Sequence, residues 1–275
     1  MKLSVSVRIA EGFGSKEIPL FPLAEVANIA TAASYSAICM RASQIGTHTE
    51  SSQVEAAKEL LDSHGLSVSM ITGDFDTVYN NDRGPNALRN IEPYLQLATQ
   101  LNAPMIRVAL KNETDIAAAQ TAADLAAKVG LKLVHQCHIQ SLFETVDGIL
   151  ETLKKIARPN FGLIYEPANL ELCGQDYVAA IEPLAPWLFN VYLQNQKLKP
   201  EGAVKLETWS NGQQNFDIIP IHEVGGIEFA SVLETLQRVG YSGTVTVHQS
   251  AGEGEDPLTS TRDTANFLRP LICAD

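Results

Sequence analysis

Eight short apolar segments alternate with longer stretches of helical period along this chain, and that alternation restricts its fold more than any other feature. The short segments are "LSVSV", "SAICM", "LSVSMI", "MIRVAL", "LKLVH", "FGLIY", "FNVYL" and "TVTVH". Between them lie amphipathic or Ala-rich stretches such as "SSQVEAAKELLDSHG", "ETDIAAAQTAADLAAKVG" and "FASVLETLQRVG". Several of these stretches close on the Gly expected just past a helix end, at Gly65, Gly130 and Gly240. Eight strand–helix units in 275 residues predict one (β/α)8 TIM barrel, a single domain over residues 1–275. The rival α/β fold, an open doubly wound sheet, normally carries a Gly-rich phosphate turn after its first strand. "EGFGSKE" is a poor version of that turn, so no nucleotide cofactor is expected.

Alternation within the strands supports the barrel. Ser4, Ser6 and Arg8 share one face of the first strand and Leu3, Val5 and Val7 the other. Met105 and Arg107, then Asn190, Tyr192 and Gln194, then Thr244, Thr246 and His248 repeat the pattern. An open parallel sheet covered by helices is apolar on both faces, whereas a barrel can become polar inside towards the C-terminal strand ends that carry its active site. Projecting the last inward residue of each strand gives Arg8, Arg41, Arg107, Gln136, Glu166, Tyr192, Gln194 and His248, with His138 and Asn169 just beyond their strands. Of His135 and His138, which fall on opposite faces, His138 is the one expected inside.

Two connections are long, residues 72–85 and 195–226, and both follow strand ends. The second carries Trp209 and many hydrogen-bonding groups, and is expected to act as a lid or substrate-contact element. Asp74 and Asp76 are turn formers as readily as ligands, and His222 and Glu223 read as loop surface.

A formal net charge of −12 disfavours a nucleic-acid partner, which needs a basic face. No run approaches the ~20 apolar residues of a membrane span, and "MKLSVSVRIAEG" alternates where a signal peptide would be continuously apolar. A cytoplasmic protein is the expectation, with a homo-oligomer left open. Cys39, Cys137, Cys173 and Cys273 are far apart without a CxxC pair and read as reduced, mostly buried thiols.

The cluster suits a hydroxyl-rich small molecule, a sugar or sugar acid. Glu166 and His248 can be read as an acid–base pair beside a carbonyl, or, with Gln136, as ligands of a divalent metal. The three arginines would hold an anionic substrate group or an enediolate, with His138, Asn169, Tyr192, Gln194 and Trp209 as further substrate contacts. Each also has a plainer reading: Glu166 as an internal salt bridge, the arginines as capping or ion-pair residues.

Over nearly its whole length the chain resembles the xylose isomerase-like barrel superfamily of sugar isomerases and epimerases, which also includes endonuclease IV. The motifs that carry the resemblance are "VHQCH" for the family's "LEnH", "EPAN" for "DxxH", "NVYLQN" for "HxHxKD" and "GYSGTVTVH" for "GYdG…E", with "GGIEF" before the last helical pair. The resemblance implies a divalent metal (Mn, Mg or Zn) at Gln136, Glu166, Tyr192 and His248, and a substrate contact at Asn169. None of the four metal positions keeps the family's residue, although Glu166 keeps a carboxylate, so the family's two-carboxylate proton shuttle is not available as usually drawn. The endonuclease branch needs more His and carboxylate ligands and a basic surface. The leading expectation is a sugar isomerase or epimerase, on a sugar, sugar acid or sugar phosphate, working by proton transfer beside a carbonyl. Its rivals are a lyase or dehydratase on a keto-sugar in the same pocket, and a non-catalytic sugar-binding barrel.

Overall fold

The computed structural model describes residues 1–12, 14–251 and 254–272. Its strands in chain order are β1 (Lys2–Ser6), β2 (Ala37–Arg41), β3 (Ser67–Thr72), β4 (Met105–Val108), β5 (Lys132–Gln136), β6 (Phe161–Tyr165), β7 (Leu188–Leu193), β8 (Gln196–Leu198), β9 (Val204–Thr208), β10 (Gly212–Ile218) and β11 (Thr244–Val247). The first seven, together with β11, close a parallel barrel in the order β1-β11-β7-β6-β5-β4-β3-β2. Ser4 marks the closure, registering with Thr246 on one side and Ala37 on the other. All eight predicted strands are present within two residues of their sequence limits, the fourth ending at Val108 where the segment ran to Leu110. Gly130 and Gly240 follow their helices at φ of +74° and +78°, values that an L side chain rarely adopts.

The alternation sorts the side chains as anticipated. Leu3, Val5, Leu163, Tyr165, Val191 and Val245 join the large apolar core between strands and helices. Cys39, Met70, Met105, Val134, Ile164 and Tyr192 form a separate cluster inside the barrel. Small polar groups complete that interior, where Ser4 Oγ and Ser69 Oγ lie 3.0 Å apart and Thr246 Oγ1 donates to Asn190 Oδ1 at 3.2 Å. His135 is buried outside the barrel, beside Val108 O (2.9 Å from Nδ1) and the Phe143 ring. Asp74 caps the helix Phe75–Tyr79 by accepting from Thr77 N.

The second long connection departs from a loop. It forms a three-stranded antiparallel sheet in the order β8-β10-β9. Phe216 of this sheet packs with Ile139, Leu172 and Cys173 at the barrel mouth, flanked by Val204, Leu206 and Ile218. Its hairpin tip is fastened down: Ser210 donates through N and Oγ to Glu144 Oε1 at 2.7 and 2.8 Å, and Asn211 Nδ2 donates to Leu172 O at 2.9 Å. The element covers part of the barrel mouth. Short alternating polar–apolar runs rich in Gln and Asn gave too weak a strand signal to distinguish it from a loop.

Cys39, Cys137 and Cys173 are buried free thiols, and Cys273 lies outside the described residues. No helix among the described residues is long and apolar enough to cross a membrane.

Gly162 sits where β6 meets the far end of the barrel. A Cβ there would stand 2.5 Å from the Phe189 ring and 2.7 Å from Trp187 O. Gly162→Ala is therefore expected to lower unfolding stability by about 1–3 kcal/mol through overpacking, measured by urea denaturation.

Candidate active site

The C-terminal strand ends surround a cavity of about 390 Å³, lined by Arg8, Arg41, Arg107, Gln136, His138, Glu166, Asn169, Gln194 and His248 among others. Arg41, Arg107 and Gln136 lie within the last ladder positions of β2, β4 and β5, whereas Glu166, Gln194 and His248 each stand one step past the end of their strand. Arg8 rides on the short 3-10 turn Val7–Ala10 that follows β1, capped by Ser6 Oγ accepting from Arg8 N. Glu166 follows β6, and the Pro behind it opens the helix Pro167–Leu172.

Glu166 is buried and takes both of its hydrogen bonds at Oε2. Gln136 donates to it through Nε2, and Asn169 donates through Nδ2 at 2.9 Å while also reaching Cys137 O at 2.8 Å. Burial pushes the Glu166 carboxyl up to about 7, against the opposing pull of Gln136, Arg107, Arg8 and Asn169. It is the one acidic side chain lining the cavity among the described residues.

The opposite side of the mouth is cationic. Arg41 donates from Nε to Glu11 Oε1 at 2.9 Å, and its Nη1 lies 3.0 Å from His248 Nε2. Ser43 Oγ adds a 2.7 Å bond to the same Glu11 oxygen, and Arg8 Nη1 stands 3.6 Å from Glu11 Oε2. A guanidinium only donates, so His248 Nε2 accepts and the ring is the neutral Nδ1–H tautomer. Burial, then the charges of Arg41, Arg8 and Arg107, hold His248 well below the usual imidazole value. Its ring stacks on Tyr192 at 3.8 Å and 5°. Burial likewise brings Arg8 down to about 10 and lowers Arg107.

Two of the expected substrate contacts are corrected. Tyr192 does not line the cavity: it lies beneath His248, fully buried, with its OH 3.3 Å from Cys39 Sγ. Trp209 is 61% exposed at the hairpin tip, because the neighbours that fasten this tip, Ser210 and Asn211, turn the indole outward. The lid contributes Leu206 and Phe216 instead. His138 is in place, its Nδ1 3.0 Å from Asn80 Nδ2 and 3.0 Å from Ile139 O. Residues that the sequence reading passed over are Glu11, Lys16, Asn80, Leu206 and Phe216. Glu11 and Lys16 lie in "EGFGSKE", and the signal was topological: in a barrel, every loop after a strand reaches the mouth.

The sequence model of the xylose isomerase-like TIM barrel matches residues 27–271. The chain belongs to this family. A curated relative, the inosose dehydratase of Geobacillus thermodenitrificans (strain NG80-2), is 24% identical over 121 residues, which are 44% of this chain and 41% of that protein. The chain thus aligns to less than half of that relative's length. Among solved structures, D-psicose 3-epimerase from Clostridium cellulolyticum H10, in its complex with D-tagatose, superposes with a TM-score of 0.71 at 12% identity, covering 99% of both chains. A xylose isomerase-like TIM barrel protein from Mycobacterium smegmatis, in complex with magnesium, has a TM-score of 0.70 at 14% identity, covering 99% of this chain and 96% of the other. At these identities the solved structures show a shared fold.

The family resemblance calls for a divalent metal, and the donors of this chain do not fit one. Gln136 presents its amide nitrogen to Glu166, His248 Nε2 is occupied by Arg41, and Tyr192 lies below the cavity. One carboxylate is left among three guanidinium charges, whereas such cations need several oxygen or nitrogen lone pairs. Among the described residues there is no group of three or more His, Cys, Asp or Glu able to hold a metal. The expected ligand set of Gln136, Glu166 and His248 is therefore not assembled as a cage.

Glu11 is the buried counter-charge of this network. Glu11→Gln keeps the shape but strands the guanidiniums, and is expected to cost about 3–5 kcal/mol of unfolding free energy by chemical denaturation.

Proposed function

We propose that this chain is an enzyme moving a proton beside the carbonyl of a polyhydroxylated substrate, with Glu166 as its single base. The observation that carries this reading is Glu166 itself. It is the lone carboxylate on the cavity wall, pinned at Oε2 by two amides, with Oε1 unbonded among the described residues. A carboxyl held near 7 is poised to exchange a proton at neutral pH.

In this reading Glu166 takes the C–H proton next to the carbonyl, and the electron pair moves onto the carbonyl oxygen. The positive field of the guanidiniums lining the cavity favours the oxyanion that forms. Within the enediolate the proton of the adjacent hydroxyl then passes to the former carbonyl oxygen, and Glu166 returns its proton to the former carbonyl carbon, which completes an aldose–ketose type of isomerisation. Alternatively, it protonates a departing hydroxyl on the β-carbon, which completes a dehydration. Both reactions need one base on one face. Epimerisation through a planar intermediate needs a second group on the opposite face, and no second carboxylate lines this cavity among the described residues. An isomerase or dehydratase is therefore favoured over an epimerase, and the dehydratase branch is supported by the inosose dehydratase relative. His248 serves here by fixing Arg41. Its lone pair is already engaged, so it is not the partner acid.

Glu166→Gln is expected to reduce kcat by about 10²–10⁴-fold with unchanged circular dichroism, and wild-type turnover in that variant would refute the assignment. Incubation with keto-sugars in deuterated water, followed by NMR, separates the two products. Isomerisation retains every carbon and introduces one deuterium, whereas dehydration loses water.

A further inference from the structure

We propose that Arg8, Arg41 and Arg107, completed by Lys16 from the loop after β1, form a binding site for an oxyanion group carried by the substrate, so that the chain acts on a sugar acid or sugar phosphate and not on a neutral sugar. The proposal deepens the reading of this cavity as a substrate site and rests on it.

The first argument is charge. Three guanidiniums and the amine of Lys16 line the cavity, and the carboxylates set against them among the described residues are Glu166 on the wall and Glu11 behind it. Glu11 is committed to Arg41 and Arg8, while the partners of Glu166 are neutral amides. An uncompensated charge of this kind is costly to keep away from water. Yet Arg41 and Arg107 are only 1% and 2% exposed. Arg41 Nη2 and Arg107 Nε have no hydrogen-bond partner among the described residues. A bound oxyanion would supply the missing acceptors and the missing charge together.

The second argument is preorganisation. Arg41 is fixed at Nε by Glu11 and at Nη1 by His248, whose ring is itself stacked on Tyr192. This leaves one nitrogen of a rigid fork for a ligand, the arrangement that suits carboxylate or phosphate oxygens. Lys16 adds an adjustable charge. Its backbone N is tied to Tyr79 OH at 3.2 Å, and its Nζ stands 5.4 Å from the centre of the Tyr79 ring.

The third argument is position. Arg8 follows β1 and Arg41 ends β2, three and four places around the closed barrel from β6, which Glu166 follows, and Arg107 in β4 lies two places from it. A short substrate anchored at the cationic side would therefore place its carbonyl end towards the base.

Lys16 supplies a readout independent of turnover. Partial burial and the charges of Arg8, Arg41 and Arg107, only partly offset by Glu11, bring its amine down to about 7. An anion arriving beside it restores the ammonium form, so binding takes up a proton at pH 7.5.

The test is isothermal titration calorimetry at pH 7.5 with D-gluconate, D-fructose 6-phosphate and D-fructose, in two buffers of different ionisation enthalpy. At least one of the two anionic probes should bind tenfold or more tightly than D-fructose, and which one distinguishes carboxylate from phosphate. Arg107→Met should bring that probe down to the D-fructose level. Lys16→Met, a change on an irregular loop, should weaken it and remove the proton uptake. Equal affinity for all three probes, no binding of either anion, or anion binding unchanged in both variants would overturn the proposal. Glu166→Gln removes the base but keeps the cations, so anion binding that survives in that variant separates this site from the assignment of Glu166.

Discussion

The bond network that fixes Arg41 is the interaction on which the rest of the site depends. Glu11 and Ser43 hold one end of the guanidinium system, and His248 holds another. The Tyr192 ring beneath His248 turns this contact into a stack that reaches down into the barrel interior. With Arg41 immobilised, Arg8 shares the same counter-charge, and Arg107, two strands from Glu166, adds a third guanidinium to the cavity wall. Burial, with the wall's charges second, disfavours a proton on His248, and the same charges moderate the rise that burial imposes on Glu166.

That electrostatic arrangement separates this chain from the carboxylate-rich sites its family resemblance evokes. A metal site gathers lone pairs around a small cation. Here the positive charge is covalent, spread over three planar groups, and the carboxylate on the same wall is hydrogen-bonded to two amides. The same chemical demand, a positive field beside a developing oxyanion, can be met by either arrangement. In the proposed reaction of this chain the guanidiniums would supply it.

Much of this was legible in the sequence because a barrel obeys two simple periodicities. Strand–helix repetition specified the fold, and the period of two within strands placed Arg8, Arg107, Gln136, Glu166 and His248 on the inner face. The same rule put Tyr192 inside, and could not say that it lies one layer too deep to meet a ligand. Depth depends on how strands stagger around the barrel, which no single strand encodes. Trp209 misled because an aromatic in a polar loop looks like a contact, whereas the hydrogen bonds of Ser210 and Asn211 decide which way the hairpin tip faces. Glu11 and Lys16 escaped notice since an irregular loop has no period from which to read direction.

The central claim is that Glu166 is a buried carboxyl whose proton is exchangeable near neutrality, facing a cationic wall. The direct measurement is a ¹³C NMR titration of the protein labelled at the glutamate carboxyl carbon, with the Glu166 signal identified by its loss in Glu166→Gln. The account predicts a midpoint of about 7 for that signal. A midpoint near the ordinary glutamate value of about 4.3 would contradict it.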